Sequence, residues 1–385
     1  MNRKIIALSL AQACYWFATL IAISLSGVIG AQLAPHTSWA TVPYALISVG
    51  ALVSTYALSQ LMFRRGRRMG LRLGAMIGAI AGLLCVAAII WQSFYLFCFA
   101  SLLMGIYQAS AAFYRLAALD ESADSDKGSA MGWVLSGSLI AAVLGPVMAE
   151  QANTWITTAE FAGSYLLASM FSLIAAWFLG FLNATKPQPV AQTKTSDALY
   201  LRQAAYWVGV GNTALGQFVM MIMMVITPLA MHGEQHSTMD SLSVIGWHII
   251  GMFLPSLVTG KLIDRYGASN IAIVGVLVFV ASSLVAVTGI TLGHYYVSLF
   301  LLGVGWNLLY VAGTGQYNQA YTKLEQGKAQ GMAEWIVALV GITAVVSGGL
   351  LLQLMSWQQT NKALMFILMA VLVLNLIHHN TRSKA

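Results

Sequence analysis

The sequence predicts an all-α membrane protein with twelve transmembrane helices in two six-helix halves. Three observations predict it. Of 385 side chains, 59% are hydrophobic and only 8% are charged, a balance that excludes a soluble domain. The apolar residues come in many runs of about 20, the length that crosses a hydrocarbon core of ~30 Å. One long polar break near the middle of the chain divides these runs six and six.

The predicted spans are 5–30, 39–62, 71–91, 94–114, 129–149, 161–182, 204–231, 241–262, 270–290, 295–315, 332–355 and 363–379. The first follows Arg3 and Lys4 and is too long for a signal-peptide core, so it is expected to stay in the mature protein. The 35 glycines suit close packing of membrane helices. The break "NATKPQPVAQTKTSDALYLRQ" is a linker over 183–203, between an N-terminal half, 1–182, and a C-terminal half, 204–385.

Lys and Arg residues stay on the cytoplasmic side of a membrane. Arg3, Lys4, the cluster Arg64, Arg65, Arg67, Arg68 and Arg72, and the later basic residues all map to one side, with Lys362 alone on the other. Both termini are therefore expected in the cytoplasm, and the net charge of +7 reflects topology, not nucleic-acid binding. Cys14, Cys85 and Cys98 lie inside spans without metal-site spacing and read as small core residues. No phosphate-binding loop and no nucleophile motif occurs, so neither an enzyme nor a cofactor is expected.

An internal repeat supports the two halves. "SQLMFRRGRR", Ser59 to Arg68, aligns with "GKLIDRYGAS", Gly260 to Ser269, at an offset of 201 residues. The pair resembles the G-x-L-x-D-R-x-G-R-R signature of the major facilitator superfamily, whose two six-helix halves surround a central site. "GSLIAAVLGPVMAE", Gly137 to Glu150, is similar to that superfamily's helix 5 motif. The resemblance implies a gating role for Gly260, Asp264, Arg265 and Gly267. The first copy has Ser59 and Phe63 where the second has Gly260 and Asp264, which removes the acidic gate residue there.

Five methionines fall between Val219 and His232 in the seventh span. Met220 and Met224 share a helical face, as do His248 and Met252 on the eighth. The hairpin joining the two spans centres near His236, which puts Met220 level with Met252 and Met224 level with His248. Thioether and imidazole are donors suited to Cu(I), whereas hard cations take oxygen. Flexible core packing by methionine is the alternative reading. Met231, His232, His236 and Met239 near the outer mouth are either an entry set for metal or a polar loop with incidental ligand types.

The two motifs resemble those of the CcoA-like copper importers, a bacterial subfamily of the major facilitators. That resemblance implies Met220, Met224, His248 and Met252 as copper ligands. It also implies a multi-pass importer of the bacterial inner membrane, with copper as cargo rather than cofactor, protons as candidate coupling ions and a monomeric state. The same wider group includes riboflavin importers, and proton-coupled drug exporters share the superfamily. For an aromatic organic solute, the candidate cavity residues are Trp306, Asn307 and Tyr310 in the tenth span; an interhelical hydrogen bond from Asn307 is the competing reading. Glu334, expected three positions into the eleventh span, is a candidate proton acceptor or a helix cap. Arg115 is expected to pair with Asp120 or Glu121.

Overall fold

A computed structural model describes residues 3–36, 39–183 and 199–383. Of the linker, only Asn183 and residues 199–203 lie within this range. Among the described residues, twelve helices are long and apolar enough to cross a membrane. They are α1 Arg3–Leu33, α2 Val42–Arg65, α3 Arg67–Ile90, α4 Phe94–Asp120, α5 Asp124–Gly145, α6 Ala162–Phe181, α7 Ala204–Gly233, α8 Ser243–Tyr266, α9 Ala268–Thr288, α10 Leu292–Asn318, α11 Gln326–Gly348 and α12 Trp357–Ile377. No strand occurs among the described residues. Large apolar side chains such as Val53, Leu83, Phe99, Trp177 and Phe366 are exposed, as the surface of a chain solvated by lipid requires.

The described residues form two compact units. Unit 1 comprises Met1–Glu121, Trp133–Lys194 and Gln326–Ala338, and unit 2 comprises Ser122–Gly132, Thr195–Glu325 and Leu339–Ala385. The units follow the two sequence halves except for an exchange. The first residues of α5 belong to unit 2, and the first turns of α11 belong to unit 1.

Each signature loop is a tight reversal between two helices. Gly66, between α2 and α3, has φ 92°, and Gly267, between α8 and α9, has φ 82°. Both lie in the region that glycine enters without a Cβ penalty, which is why the repeat keeps a glycine at both positions.

Unit 1 packs around aromatic side chains. Tyr15 of α1 meets Tyr107 of α4 edge-on at 5.3 Å, and Phe97 meets Tyr165 of α6 at 5.7 Å. Unit 2 adds a buried amide network. Asn212 of α7 and Asn375 of α12 exchange two hydrogen bonds of 2.8 Å, and Asn212 also donates to Gln316 of α10 at 2.8 Å. A buried network of this kind specifies one helix register because a slipped register strands its polar atoms. Asn212→Leu is expected to leave the Asn375 and Gln316 amides short of partners and to cost about 1–3 kcal/mol, read as a lower melting temperature in detergent.

Candidate functional site

α8 is interrupted at Leu254 and Pro255, between helical segments Thr238–Phe253 and Ser256–Tyr266. Proline lacks an N–H and ends the ladder there. Asn307 of α10, fully buried, repairs the break. Its amide nitrogen donates to Met252 O at 2.7 Å and to Ser256 Oγ, and its oxygen accepts from Thr259 Oγ1 at 2.7 Å. Of the two readings of Asn307, cavity wall and interhelical hydrogen bond, these contacts match the second, since both amide hydrogens are spent on α8.

Next to it, Trp306 and Tyr310 stack with centroids 4.5 Å apart and planes at 17°. Phe253 meets the Trp306 edge at 6.1 Å. Trp306 Nε1 donates to Gln217 Oε1 of α7 at 3.2 Å. Because the Gln217 oxygen is used this way, the amide N–H groups of this half-buried residue remain as donors beside the Trp306–Tyr310 stack, whose two residues are 5% and 9% exposed. Gln217 was missed in the sequence. It lies three residues before Met220, so it shares that methionine's face of α7.

The register of α7 and α8 along α10 bears on the depth of the methionine pairs. α7 and α10 run antiparallel, with Gly209 against Gly313 and Gln217 against Trp306. Carried on at 1.5 Å per residue, this register sets Met224 level with Leu299. α8 runs parallel to α10, and His248 Nδ1 lies 2.8 Å from Leu299 O. Met224 and His248 thus share one level, and Met220 and Met252 share another near Gly303, as the loop symmetry predicts. Met220, His248 and Met252 are buried and Met224 is half-buried. A carbonyl can only accept, so His248 carries its proton on Nδ1, and its buried Nε2 has no partner among the described residues.

Two members of the outer set already have partners. Met231 is fully buried and accepts from Ser241 Oγ at 3.7 Å. His236 is committed to Ile290 O at 3.1 Å and to the Tyr295 ring, while His232 is exposed. The Met239 side chain lies outside the described residues. Asp240 closes a capping box with Ser237 at the start of the Thr238–Phe253 helix. The hydrogen bonds from the Ser237 hydroxyl and N–H hold the Asp240 carboxyl below its ordinary range. Among the described residues no three His, Cys, Asp or Glu side chains gather as a metal site.

The signature residues take definite partners. In unit 2, Asp264 accepts from Gly128 N–H and Ser129 N–H, both at 2.8 Å, and from the Ser129 hydroxyl at 2.5 Å. It caps the start of α5 from outside the chain segment. Gly260 packs on the Gly128 backbone, Arg265 lies over the Tyr266 ring at 5.2 Å, and Gly267 makes the turn.

In unit 1, Arg115 departs from its expected partners. It pairs with Glu334 at 2.6 Å, both side chains being 2–3% exposed. Asp120 is taken by Arg67 at 2.8 Å, and Glu121 by Lys4 at 2.5 Å. α11 begins at Gln326, six residues earlier than predicted, so Glu334 lies more than two turns inside the helix and is no terminal cap. Apolar periodicity missed that start because "QGKAQG" reads as loop.

Twelve helices long and apolar enough to cross a membrane, with a glycine turn at Gly66 and again at Gly267, define a polytopic membrane protein, and the relatives below make it a transporter, a carrier and not an enzyme. The chain belongs to the Major Facilitator Superfamily. The family model of that description matches residues 207–383. The riboflavin transporter RfnT of Brucella anthropi is 33% identical over 376 residues, covering 97% of this chain and 94% of that protein. The uncharacterized MFS-type transporter YdeG of Bacillus subtilis is 27% identical over 369 residues, covering 91% and 86%. Among solved structures, the human organic anion transporter MFSD10 (TETRAN) matches with a TM-score of 0.77 at 13% identity, covering 97% of this chain and 99% of that one. A bacterial homologue of the iron transporter ferroportin, in an outward-facing state, matches at 0.74 and 13% over the whole of both chains. At such identities these structures speak for the fold alone. The copper-importer subfamily suggested by the Met and His motifs gains no support from these relatives.

Proposed function

We propose that this transporter imports a planar heteroaromatic solute of the flavin class across the bacterial inner membrane by alternating access, with both termini in the cytoplasm. The observation that carries the reading is the Trp306–Tyr310 stack flanked by the Gln217 amide. A flavin offers a flat tricyclic ring for stacking and ring carbonyls that accept hydrogen bonds from amide N–H groups. Aromatic rings favour offset stacking on such surfaces. The near full-length similarity to a protein named as a riboflavin transporter supports the same solute class.

Copper is the competing cargo. What favours it is the shared level of Met224 and His248, with the His248 Nε2 lone pair unpartnered; soft neutral donors at one depth suit Cu(I). Against it stand the hydrogen bonds that already occupy Met231 and His236 and the relatives' names. Expression in a riboflavin auxotroph separates the two. Growth on low riboflavin with unchanged cell copper is the expected outcome, and raised cell copper without growth would replace the flavin reading by the copper one.

A further inference from the structure

The starts of α5 and α11 are held in equivalent places by different chemistry. In unit 2 the Asp264 carboxylate lies against Gly128, where a Cβ would come within 2.7 Å of its oxygen. In unit 1 the residue 201 positions earlier is Phe63. It lies against Gly327, where a Cβ would meet the Phe63 Cβ at 2.6 Å. The neighbouring positions correspond as well. Gly260 packs on the Gly128 carbonyl, and Ser59 Oγ donates to the Gly327 carbonyl at 2.8 Å. The first turn of α5 therefore has an anion at its N–H groups, the favourable charge for a helix start, and position 63 offers the first turn of α11 none.

Unit 1 has instead a buried ion pair that has no counterpart among the described residues of unit 2. The residue 201 positions after Arg115 is Gln316, which belongs to the amide network with Asn212 and donates to Ser269. Buried ion pairs seldom add stability over apolar packing of the same volume, and their best-attested use is to select one arrangement over another. Arg67 strengthens the same place from one turn away, bonding Asp120 and Gln330 of α11, while Gln326 donates to Asp120 at 2.7 Å.

We propose that the Arg115–Glu334 pair replaces the carboxylate missing at position 63, as the ionic clasp that holds the start of α11 on unit 1 and releases it during transport. Both are positioning residues, and the clasp acts whichever solute is carried. Release exchanges the ion pair for hydration of both charges, which offsets much of the cost of parting them.

A cysteine at Ala333, fully buried beside Glu334, reports undocking. It is placed in full-length protein whose Cys14, Cys85 and Cys98 are replaced, and labelled with a polar maleimide in open membrane fragments. Glu334→Gln is expected to speed labelling about tenfold or more, as loss of a charged partner worth at least 1.4 kcal/mol requires. Adding Phe63→Asp, which brings a carboxylate to Gly327, is expected to return the rate to within about threefold of the parent. Unchanged labelling in Glu334→Gln, or no slowing by Phe63→Asp, overturns the proposal. If Glu334→Gln does not fold, Phe63→Asp alone decides: a second tie slows labelling about threefold, and an unchanged rate overturns the clasp. Riboflavin uptake plays no part in this readout, so failure of the flavin reading leaves it intact.

Discussion

Trp306→Ala is expected to raise the KM for riboflavin uptake about 5- to 150-fold. Removing one aromatic surface from under a planar heterocycle costs roughly 1–3 kcal/mol, and each 1.4 kcal/mol is tenfold in affinity. Trp306 is the residue to change because it touches every other part of the wall. It stacks on Tyr310, packs against the Phe253 edge and orients the Gln217 amide through its indole N–H. Trp306→Phe keeps a ring but loses the hydrogen bond to Gln217, so it should fall between alanine and the parent. Met224→Ala and His248→Ala should leave riboflavin KM within about threefold, since neither side chain meets the wall in any observed contact. Uptake of radiolabelled riboflavin in cells, at matched expression, measures all four.

Arg115→Ala is expected to destabilise unit 1 by about 3–5 kcal/mol, the usual cost of leaving one member of a buried pair behind. Arg115 and Glu334 side chains are 2% and 3% exposed, so water cannot solvate the stranded carboxylate without the start of α11 moving away. Exchanging the two residues, Arg115→Glu with Glu334→Arg, should recover most of the loss, whereas Arg115→Ala with Phe63→Asp should recover transport more than melting temperature. Thermal melting in detergent reads the first comparison and uptake reads the second. Arg67→Ala, at a partly exposed pair, should cost far less, about 1 kcal/mol or below.

The helices were legible because lipid imposes long uninterrupted apolar runs, and those runs alone place nine of the twelve within five residues at both ends, while α4, α11 and α12 depart by six or more. The first two of these exceptions mark the polar docks. α11 begins at Gln326 rather than 332 because "QGKAQG" is polar and glycine-rich, yet unit 1 supplies partners for it through Ser59, Arg67 and Asp120. α4 runs on to Asp120 for the same reason, its last turns being held by ion pairs invisible to hydropathy.

The site was legible in part. Helical spacing puts Met220, Met224, His248 and Met252 at paired depths, and the register of α7 and α8 along α10 leads to the same pairing. It could not say what those side chains touch. His248 spends Nδ1 on the Leu299 carbonyl, and Asn307 spends its amide on the broken α8, since a backbone interrupted by Pro255 claims any polar group within reach. Partner choice for Arg115 likewise depended on which helices adjoin. Sequence proximity favoured Asp120 and Glu121, but Arg67 and Lys4 lie closer to those acids.

The most direct measurement is riboflavin uptake into vesicles reconstituted with the purified protein. Saturable accumulation of radiolabelled riboflavin is expected, which unlabelled riboflavin competes away, Trp306→Ala weakens and copper salts leave unchanged. Vesicles that take up copper but no riboflavin would contradict the flavin reading.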